Sequence, residues 1–160
     1  MRPPIPPDIQ QLVASLRLPD RFSVALTSYT EELIRRLAPE CVILFGSLAK
    51  GTYTSASDID LVVVASHLTE GFLDRLSVLQ GLNGTACPID AFGYTPEEFQ
   101  HMLRGGHVTA LDALADGIPL CGEDHFGQSR GIFQDMLQRG LRRSACSWVL
   151  PVPIQPCEGP

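Results

Sequence analysis

The sequence predicts an α/β (α+β) protein in which a small mixed β-sheet is flanked by helices. Segments with helical periodicity alternate along the chain with short apolar runs that are rich in β-branched residues. The first two strand candidates, residues 42–45 and 59–65, are joined by a connection of about the minimum length for a parallel crossover. A mixed or antiparallel sheet is therefore favoured over a doubly wound parallel one.

Helices are predicted where apolar residues recur at helical spacing and where proline or glycine marks an end. Pro39 ends the long second helix, in which two glutamates precede two arginines at the favourable spacing. Pro96 begins another helix, since proline fits the first helical turn. The predicted helices span residues 10–18, 22–37, 71–82, 96–103, 108–115 and 126–142. In the helix 71–82 the expected apolar face contains Phe72, Leu73, Leu76 and Leu79.

Two further extended segments, residues 88–92 and 118–121, complete the predicted sheet. The organisation expected is a loose N-terminal arm with a short helix over residues 1–20, one main domain over 21–145 and a C-terminal tail over 146–160. The apolar part of that tail, WVLPVPI, is interpreted either as an edge strand that closes the sheet or as a partner-binding arm.

Composition excludes several classes of protein. With 160 residues, 44% hydrophobic content and a net charge of -6, the chain has the size and balance of one globular domain. A duplex nucleic-acid binder would need a basic surface, so direct binding to duplex nucleic acid is not expected. Five dispersed cysteines are interpreted as reduced thiols, mostly buried. No membrane span and no export signal are recognised, which predicts a cytoplasmic protein.

Two aspartates begin the second strand. In a strand, residues two apart point to the same face, so Asp58 and Asp60 would project together while Ile59 enters the core. Two adjacent carboxylates repel each other unless a cation joins them, and Mg²⁺ prefers such oxygen ligands. The alternative is that Asp58 ends the loop and Asp60 lies at a solvated strand edge.

The turn at the end of the first strand is a candidate phosphate site. Gly46 would let the backbone approach a phosphate closely, and the Ser47 hydroxyl could donate to it. A Walker A loop is excluded because Thr52 stands where that motif needs lysine. Lys50 is a candidate nucleotide contact. The alternatives are a plain strand-to-helix turn and a solvated surface lysine.

A third carboxylate, Asp90, lies inside the apolar third strand. It requires either a charged partner or a function, and the alternative interpretation is a structural salt bridge. In the functional interpretation Asp90 faces Asp58 and Asp60 and accepts or orients the proton of an attacking hydroxyl. Three carboxylates and two metal ions would form the arrangement used for in-line displacement at phosphorus.

The stretch GSLAKGTYTSASDID, followed by the aspartate of CPIDAF, resembles the signature of the DNA polymerase β-like nucleotidyltransferase superfamily, and the chain is similar to its minimal members. The resemblance implies Mg²⁺-dependent transfer of AMP from ATP to a hydroxyl, with two metal ions on Asp58, Asp60 and Asp90. Gly46 and Ser47 would hold the triphosphate. Ser57 is expected either to contact phosphate or to cap the loop.

Many minimal members resemble antitoxins that pair with a HEPN-domain RNase toxin, which implies adenylylation of a tyrosine on such a partner. Two rival hypotheses remain: transfer to a small molecule such as an aminoglycoside, and a binding module that neutralises its partner without catalysis. Arg139, Arg142 and Arg143 are interpreted either as complementing the end of the last helix or as docking an acidic partner or nucleotide. The oligomeric state, homo- or hetero-oligomer, stays open.

Overall fold

The structure, a computed structural model, describes residues 8–151. The loose arm predicted at the N-terminus and the tail beyond Pro151 lie outside the described residues. The helices are α1 (Ile9–Ser15), α2 (Asp20–Leu37), α3 (Ser47–Lys50), α4 (Phe72–Gly81), α5 (Pro96–Arg104), α6 (Val108–Asp116) and α7 (Glu123–Gln138). The strands are β1 (Cys41–Phe45), β2 (Ile59–Val64), β3 (Ile89–Tyr94), β4 (Ile118–Cys121), β5 (Arg142–Arg143) and β6 (Trp148–Val149).

Four strands form one mixed sheet in the order β3-β2-β1-β4, which confirms the predicted fold class. Strand β1 is antiparallel to both of its neighbours, β2 and β4. Strands β2 and β3 are parallel, and the chain between them includes α4. The short β1–β2 connection is therefore an antiparallel return, as its length predicts, whereas the longer connection accommodates a crossover helix.

Both faces of the sheet are covered, which explains the nearly continuous apolar sequence of β2. Ile59, Leu61 and Val63 point to one face, where they pack in a cluster that includes residues of α1 and α2. Val62 and Val64 point to the other face and pack with residues of α5, α6 and α7. Asp60 is the one polar residue of β2. Because side chains alternate between the two faces along a strand, Asp60 lies on the same face as Val62 and Val64.

The predicted C-terminal end of the last helix is wrong. Helix α7 ends at Gln138, and Gly140, with φ +109°, turns the chain into β5. Strand β6 pairs with β5, not with the four-stranded sheet, so the predicted sheet-closing edge strand is also wrong for the described part of the tail. A glycine that adopts a positive φ ends a helix because β-carbon sterics do not oppose that conformation.

The apolar face predicted for α4 is corrected in part. Phe72 and Leu73 are 55% and 76% exposed, whereas Arg75 and Leu79 are buried. The guanidinium of Arg75 donates to both carboxylate oxygens of Glu98, at 2.6 and 2.9 Å, on the face of the helix that is turned inward. A long-range ion pair of this kind has no signal in the local periodicity of α4.

Four cysteines lie within the described residues, and all are free thiols. Cys41 is buried, Cys87 and Cys121 are half-buried, and Cys146 is exposed. No helix between residues 8 and 151 has both the length and the apolar character required to cross a membrane.

Candidate active site

The carboxylates of Asp60 and Asp90 lie side by side on the two parallel strands. Their backbones are directly paired in the β2–β3 register, and paired residues of neighbouring strands project to the same face. The preceding residues, Ile59 and Ile89, are also paired and are buried on the opposite face. Asp58 stands two residues before Asp60, at the exposed entrance to β2.

The three carboxyl groups influence one another electrostatically. The pKa of Asp60 is raised to about 6, first by burial and then by the charges of Asp90 and Asp58. The pKa of Asp90 is also raised, first by burial, then by the charge of Asp58 and by a hydrogen bond to it. The structure therefore brings all three sequence-predicted aspartates into one interacting group.

The donor set suits a hard divalent cation, because it consists of carboxylate oxygens that repel one another in the absence of a counter-charge. In residues 8–151, however, no three His, Cys, Asp or Glu side chains are placed in a common metal-ligating arrangement. The chemistry of the aspartates thus fits Mg²⁺, while the side-chain positions do not define a coordination geometry.

Gly46 places the turn after β1 directly against Asp60. Phe45 is paired with Asp60 in the β1–β2 register, and Gly46 follows with φ +72° and ψ -153°. A β-carbon at Gly46 would lie 2.3 Å from Oδ2 of Asp60. Both the backbone conformation and the close approach therefore require glycine. Ser47 comes next, as the first residue of α3.

The two other predicted nucleotide contacts are engaged elsewhere. The Ser57 hydroxyl accepts a hydrogen bond from the backbone N–H of Thr54 at 2.8 Å, which organises the loop before Asp58. The Nζ of Lys50 lies 3.8 Å from Oδ2 of Asp116, at the end of α6. The structure therefore does not place either side chain with the aspartate group.

Arg143 belongs to this neighbouring polar cluster and does not complement the end of α7, as one interpretation predicted. It lies 2.7 Å from a carboxylate oxygen of Asp116 and 3.3 Å from one of Asp112. The Nε1 of Trp148 donates to Asp112 at 2.9 Å. The close guanidinium of Arg143 is the main reason that the pKa of Asp116 is lowered. The cluster ties the β5–β6 ribbon to α6.

An aromatic pair that the sequence pattern did not reveal lies on the same face as the aspartates. The rings of Phe45 and Phe92 are 6.4 Å apart between centroids and tilted by 54°. Phe45 is paired with Asp60, and Phe92 follows Asp90 by two residues, so the strand alternation places all four side chains on one face. The signal available in the sequence was that Phe92 stands two residues after Asp90 and so shares its face. Aromatic residues in strands are usually core residues, however.

Comparisons with known proteins find matches over the part of the chain that contains the site. Residues 28–104 match the family model described as "Nucleotidyltransferase domain". A segment of 41 residues is 46% identical to a candidate protein adenylyltransferase of Methanocaldococcus jannaschii, and this match covers 26% of the chain and 28% of the relative. The matched segment thus spans less than a third of that relative's length.

Two solved structures are similar to part of the chain at low identity. One is a toxin–antitoxin complex with AMP-PNP, at 21% identity and a TM-score of 0.47, covering 69% of this chain and 85% of the other. The other is a candidate nucleotidyltransferase of Sulfolobus solfataricus, at 20% identity and a TM-score of 0.44, covering 70% and 82%. The family match supports the resemblance seen in the sequence, and the matched residues contain the Gly46–Ser47 turn and all three aspartates.

Proposed function

We propose that this chain transfers AMP from ATP to a hydroxyl group, with pyrophosphate as the leaving group. The observation that carries the proposal is the position of Asp60, which is paired with Asp90 on one side and touches the Gly46 turn on the other. This arrangement puts the groups that would bind a triphosphate next to the groups that would activate a hydroxyl. Nucleotidyl transfer needs both within one site.

We propose that Asp58, Asp60 and Asp90 hold two Mg²⁺ ions. When bound, the ions would neutralise phosphate charge and lower the pKa of the attacking hydroxyl. The raised pKa values of Asp60 and Asp90 support this assignment, because burial first and then the neighbouring carboxylates raise them, and a bound cation would offset both effects. Asp90 lies on the edge strand β3, and its carboxylate is assigned to accept or orient the proton of the acceptor hydroxyl.

Gly46 and Ser47 are assigned to the triphosphate. Within residues 8–151 the Ser47 hydroxyl makes no hydrogen bond to another protein group, so it is free to donate to a phosphate oxygen. Lys50 would have to leave Asp116 before it could contact the nucleotide. For Ser57, the hydrogen bond from Thr54 supports the loop-capping role over phosphate contact.

For the acceptor, we propose a tyrosine of a HEPN-domain toxin, with this chain acting as the cytoplasmic antitoxin. The motif resemblance supports the partner, and the name of the partly matching archaeal relative, a protein adenylyltransferase, supports a protein acceptor. The chain would then form a hetero-oligomer at least transiently, because a protein acceptor must dock beside the aspartates.

The proposal is tested by incubating the protein with labelled ATP, Mg²⁺ and a candidate HEPN-domain partner. We expect label on a partner tyrosine, loss of labelling with Asp60→Asn, and no labelling when EDTA replaces Mg²⁺. Label on an aminoglycoside but on no protein would instead establish the small-molecule alternative. Tight partner binding without label, unchanged by Asp60→Asn, would establish a non-catalytic antitoxin.

A further inference from the structure

We infer that the outward side of α4 is a docking surface for a basic amphipathic helix of a partner protein. The surface consists of Phe72, Leu73 and Leu76, with the carboxylates of Glu70 and Asp74 beside them, and is called the α4 surface here. The inference goes beyond the proposed AMP transfer and does not depend on it, because it concerns where a partner is held and not what is done to it.

The apolar side chains of the α4 surface are largely open to solvent. Phe72 and Leu73 are 55% and 76% exposed. Leu76 is half-buried, but it packs with neither of the two core clusters in residues 8–151. At about 100° per residue, the three side chains fall within a sector of about 100° on one side of the helix. Contiguous apolar side chains of this kind on a protein surface indicate an interaction site.

Helix α4 has an arrangement that packing of its own core does not favour. It turns Arg75 inward, where the guanidinium donates to Glu98 and to the backbone carbonyl of Gly93. The same helix leaves Phe72 and Leu73 in water, although large apolar side chains are usually the buried ones. A partner that covers these two side chains would remove apolar area from water, which the fold of this chain does not do.

The charges of the α4 surface specify the chemistry of the partner. Arg75 is the only Lys or Arg within residues 51–103, and it is paired with Glu98. Glu70 and Asp74 are exposed and belong to none of the ion pairs of the described chain. A helix whose apolar side chains are flanked by lysine or arginine would therefore gain apolar contact and charge attraction together.

The same charges disfavour two other occupants. In a two-fold dimer, a second copy of the chain would bring Glu70 and Asp74 against their own equivalents, and like charges in an interface repel each other. An anionic membrane surface would be repelled in the same way, since it attracts basic segments. A basic helix is the occupant that fits both the apolar strip and its acidic border.

The α4 surface lies away from the three aspartates. The start of α4 contacts the start of α5 through Arg75 and Glu98, and α5 follows the carboxyl end of β3. Asp60 is the second residue of β2, so about 13 Å of strand separates it from the carboxyl end of that strand. The surface therefore anchors a partner and does not touch the reacting groups.

The test measures the binding of a defined probe to the full chain by fluorescence anisotropy. The probe is a labelled helical peptide of about 18 residues, with leucines on one face and lysines beside them. The same peptide with glutamate in place of every lysine is the control probe. We expect Leu73→Ser to weaken binding of the lysine peptide about tenfold, as for a central apolar contact of an interface. Glu70→Gln combined with Asp74→Asn should weaken it about threefold and reduce its salt dependence.

Val24→Ser is the matched control variant, because Val24 on α2 is 65% exposed and lies outside the α4 surface. It should change the affinity for the lysine peptide less than about twofold, and thermal melts should show all variants folded. Equal affinity for the glutamate peptide, or an affinity for the lysine peptide that Leu73→Ser leaves unchanged, would overturn the inference.

Two further measurements address the other occupants. A dimer seen by sedimentation equilibrium and abolished by Leu73→Ser would overturn the inference in favour of a second copy. Binding to phosphatidylserine vesicles that is lost in the same variant would overturn it in favour of a membrane. None of these assays contains ATP, so their results stand whether or not the chain transfers AMP.

Discussion

Gly46 and Asp60 are in such close contact that a β-carbon at position 46 would force the Asp60 side chain to move. The β-carbon of any other residue would lie 2.3 Å from Oδ2 of Asp60, and φ at Gly46 is +72°. The contact follows from the antiparallel pairing of Phe45 with Asp60, which carries the chain leaving β1 past the first residues of β2. The turn and the carboxylate are therefore one structural unit, and a change in the turn must move the carboxylate.

We expect Gly46→Ala to reduce AMP transfer at least about a hundredfold, because the new methyl group displaces Asp60 and a misplaced catalytic group has effects of this size. The unfavourable backbone conformation should also lower the free energy of unfolding by about 1–3 kcal/mol. Initial rates with labelled ATP and urea unfolding curves measure the two effects on the same preparation.

Gly51→Ala provides the matched control. Gly51 also has a positive φ, +78°, but a β-carbon there would meet nothing within 4 Å. The substitution should lower the free energy of unfolding by about 1 kcal/mol, from the left-handed backbone alone, and should leave the transfer rate within about twofold of the wild type. Equal losses of activity in the two variants would show that the contact with Asp60 is not what matters.

The relation between the aspartates could be predicted from sequence because it depends on short-range rules. The alternation of side chains places Asp58 and Asp60 together, and the apolar character of the β2 and β3 segments indicates that they are buried strands of one sheet. The direct pairing of Asp60 with Asp90 depends on the register between β2 and β3. The single aspartate in each apolar strand suggests this register, but the sequence alone does not determine it.

Features that depend on distant partners were not predictable in this way. Helix α4 turns Arg75 inward to an ion pair with Glu98, 23 residues away, while Phe72 on the same helix is exposed. Arg143 contacts Asp112, 31 residues away, so the run of arginines gave no indication of its partner. The aromatic pair was missed because a phenylalanine in a strand has the same sequence signature whether it is covered or not.

We expect Asp60→Asn to make the protein more stable at neutral pH while abolishing transfer. The pKa of Asp60 is about 6 in the folded state against an ordinary value of 3.8, so the folded state retains this proton more tightly than the unfolded state. The stability associated with the proton is fully present below pH 3.8 and is lost as the pH rises to about 6. In metal-free buffer at pH 7.5 the variant should therefore be more stable by about 2–3 kcal/mol, which is seen by urea unfolding.

The same comparison at pH 4 is the control, because in the folded state both proteins then have an uncharged side chain at position 60. The difference in the free energy of unfolding should shrink towards zero there. Adding Mg²⁺ at pH 7.5 should raise the melting temperature of the wild type and not that of the variant. A wild type that is the more stable protein at pH 7.5 without metal would contradict the role assigned to carboxylate repulsion.

Two serines should respond differently to alanine substitution. Ser47→Ala removes a hydroxyl assigned to the triphosphate, so KM for ATP should rise about tenfold, with the unfolding free energy nearly unchanged. Ser57→Ala removes the acceptor of the Thr54 N–H bond, so stability should fall by about 1 kcal/mol and KM for ATP should change little. Steady-state kinetics and thermal melts on both variants make the comparison. The assignments are reversed if Ser57→Ala is the variant with the weakened affinity for ATP.

The ion pair of Arg75 and Glu98 should stabilise the fold without affecting catalysis. Arg75 is 9% exposed and also donates to the backbone carbonyl of Thr69, while Glu98 completes a capping box with Thr95 at the start of α5. Glu98→Gln should lower the free energy of unfolding by about 1–2 kcal/mol, less than for a fully buried pair because the Glu98 side chain is 42% exposed.

The pH dependence of this effect has the opposite sign to that of Asp60. The pKa of Glu98 is lowered, first by its hydrogen bond from Arg75, so its contribution is present above the unfolded pKa and is lost as the pH falls through the folded pKa. Wild type and Glu98→Gln should thus differ most near pH 7 and converge in acid. Glu97→Gln, an exposed acidic neighbour in the same first turn, is the control and should change stability by less than about 0.5 kcal/mol. A Glu97 variant as destabilised as the Glu98 variant would show that the charge in the first turn of α5, and not the ion pair, is the source of the stability.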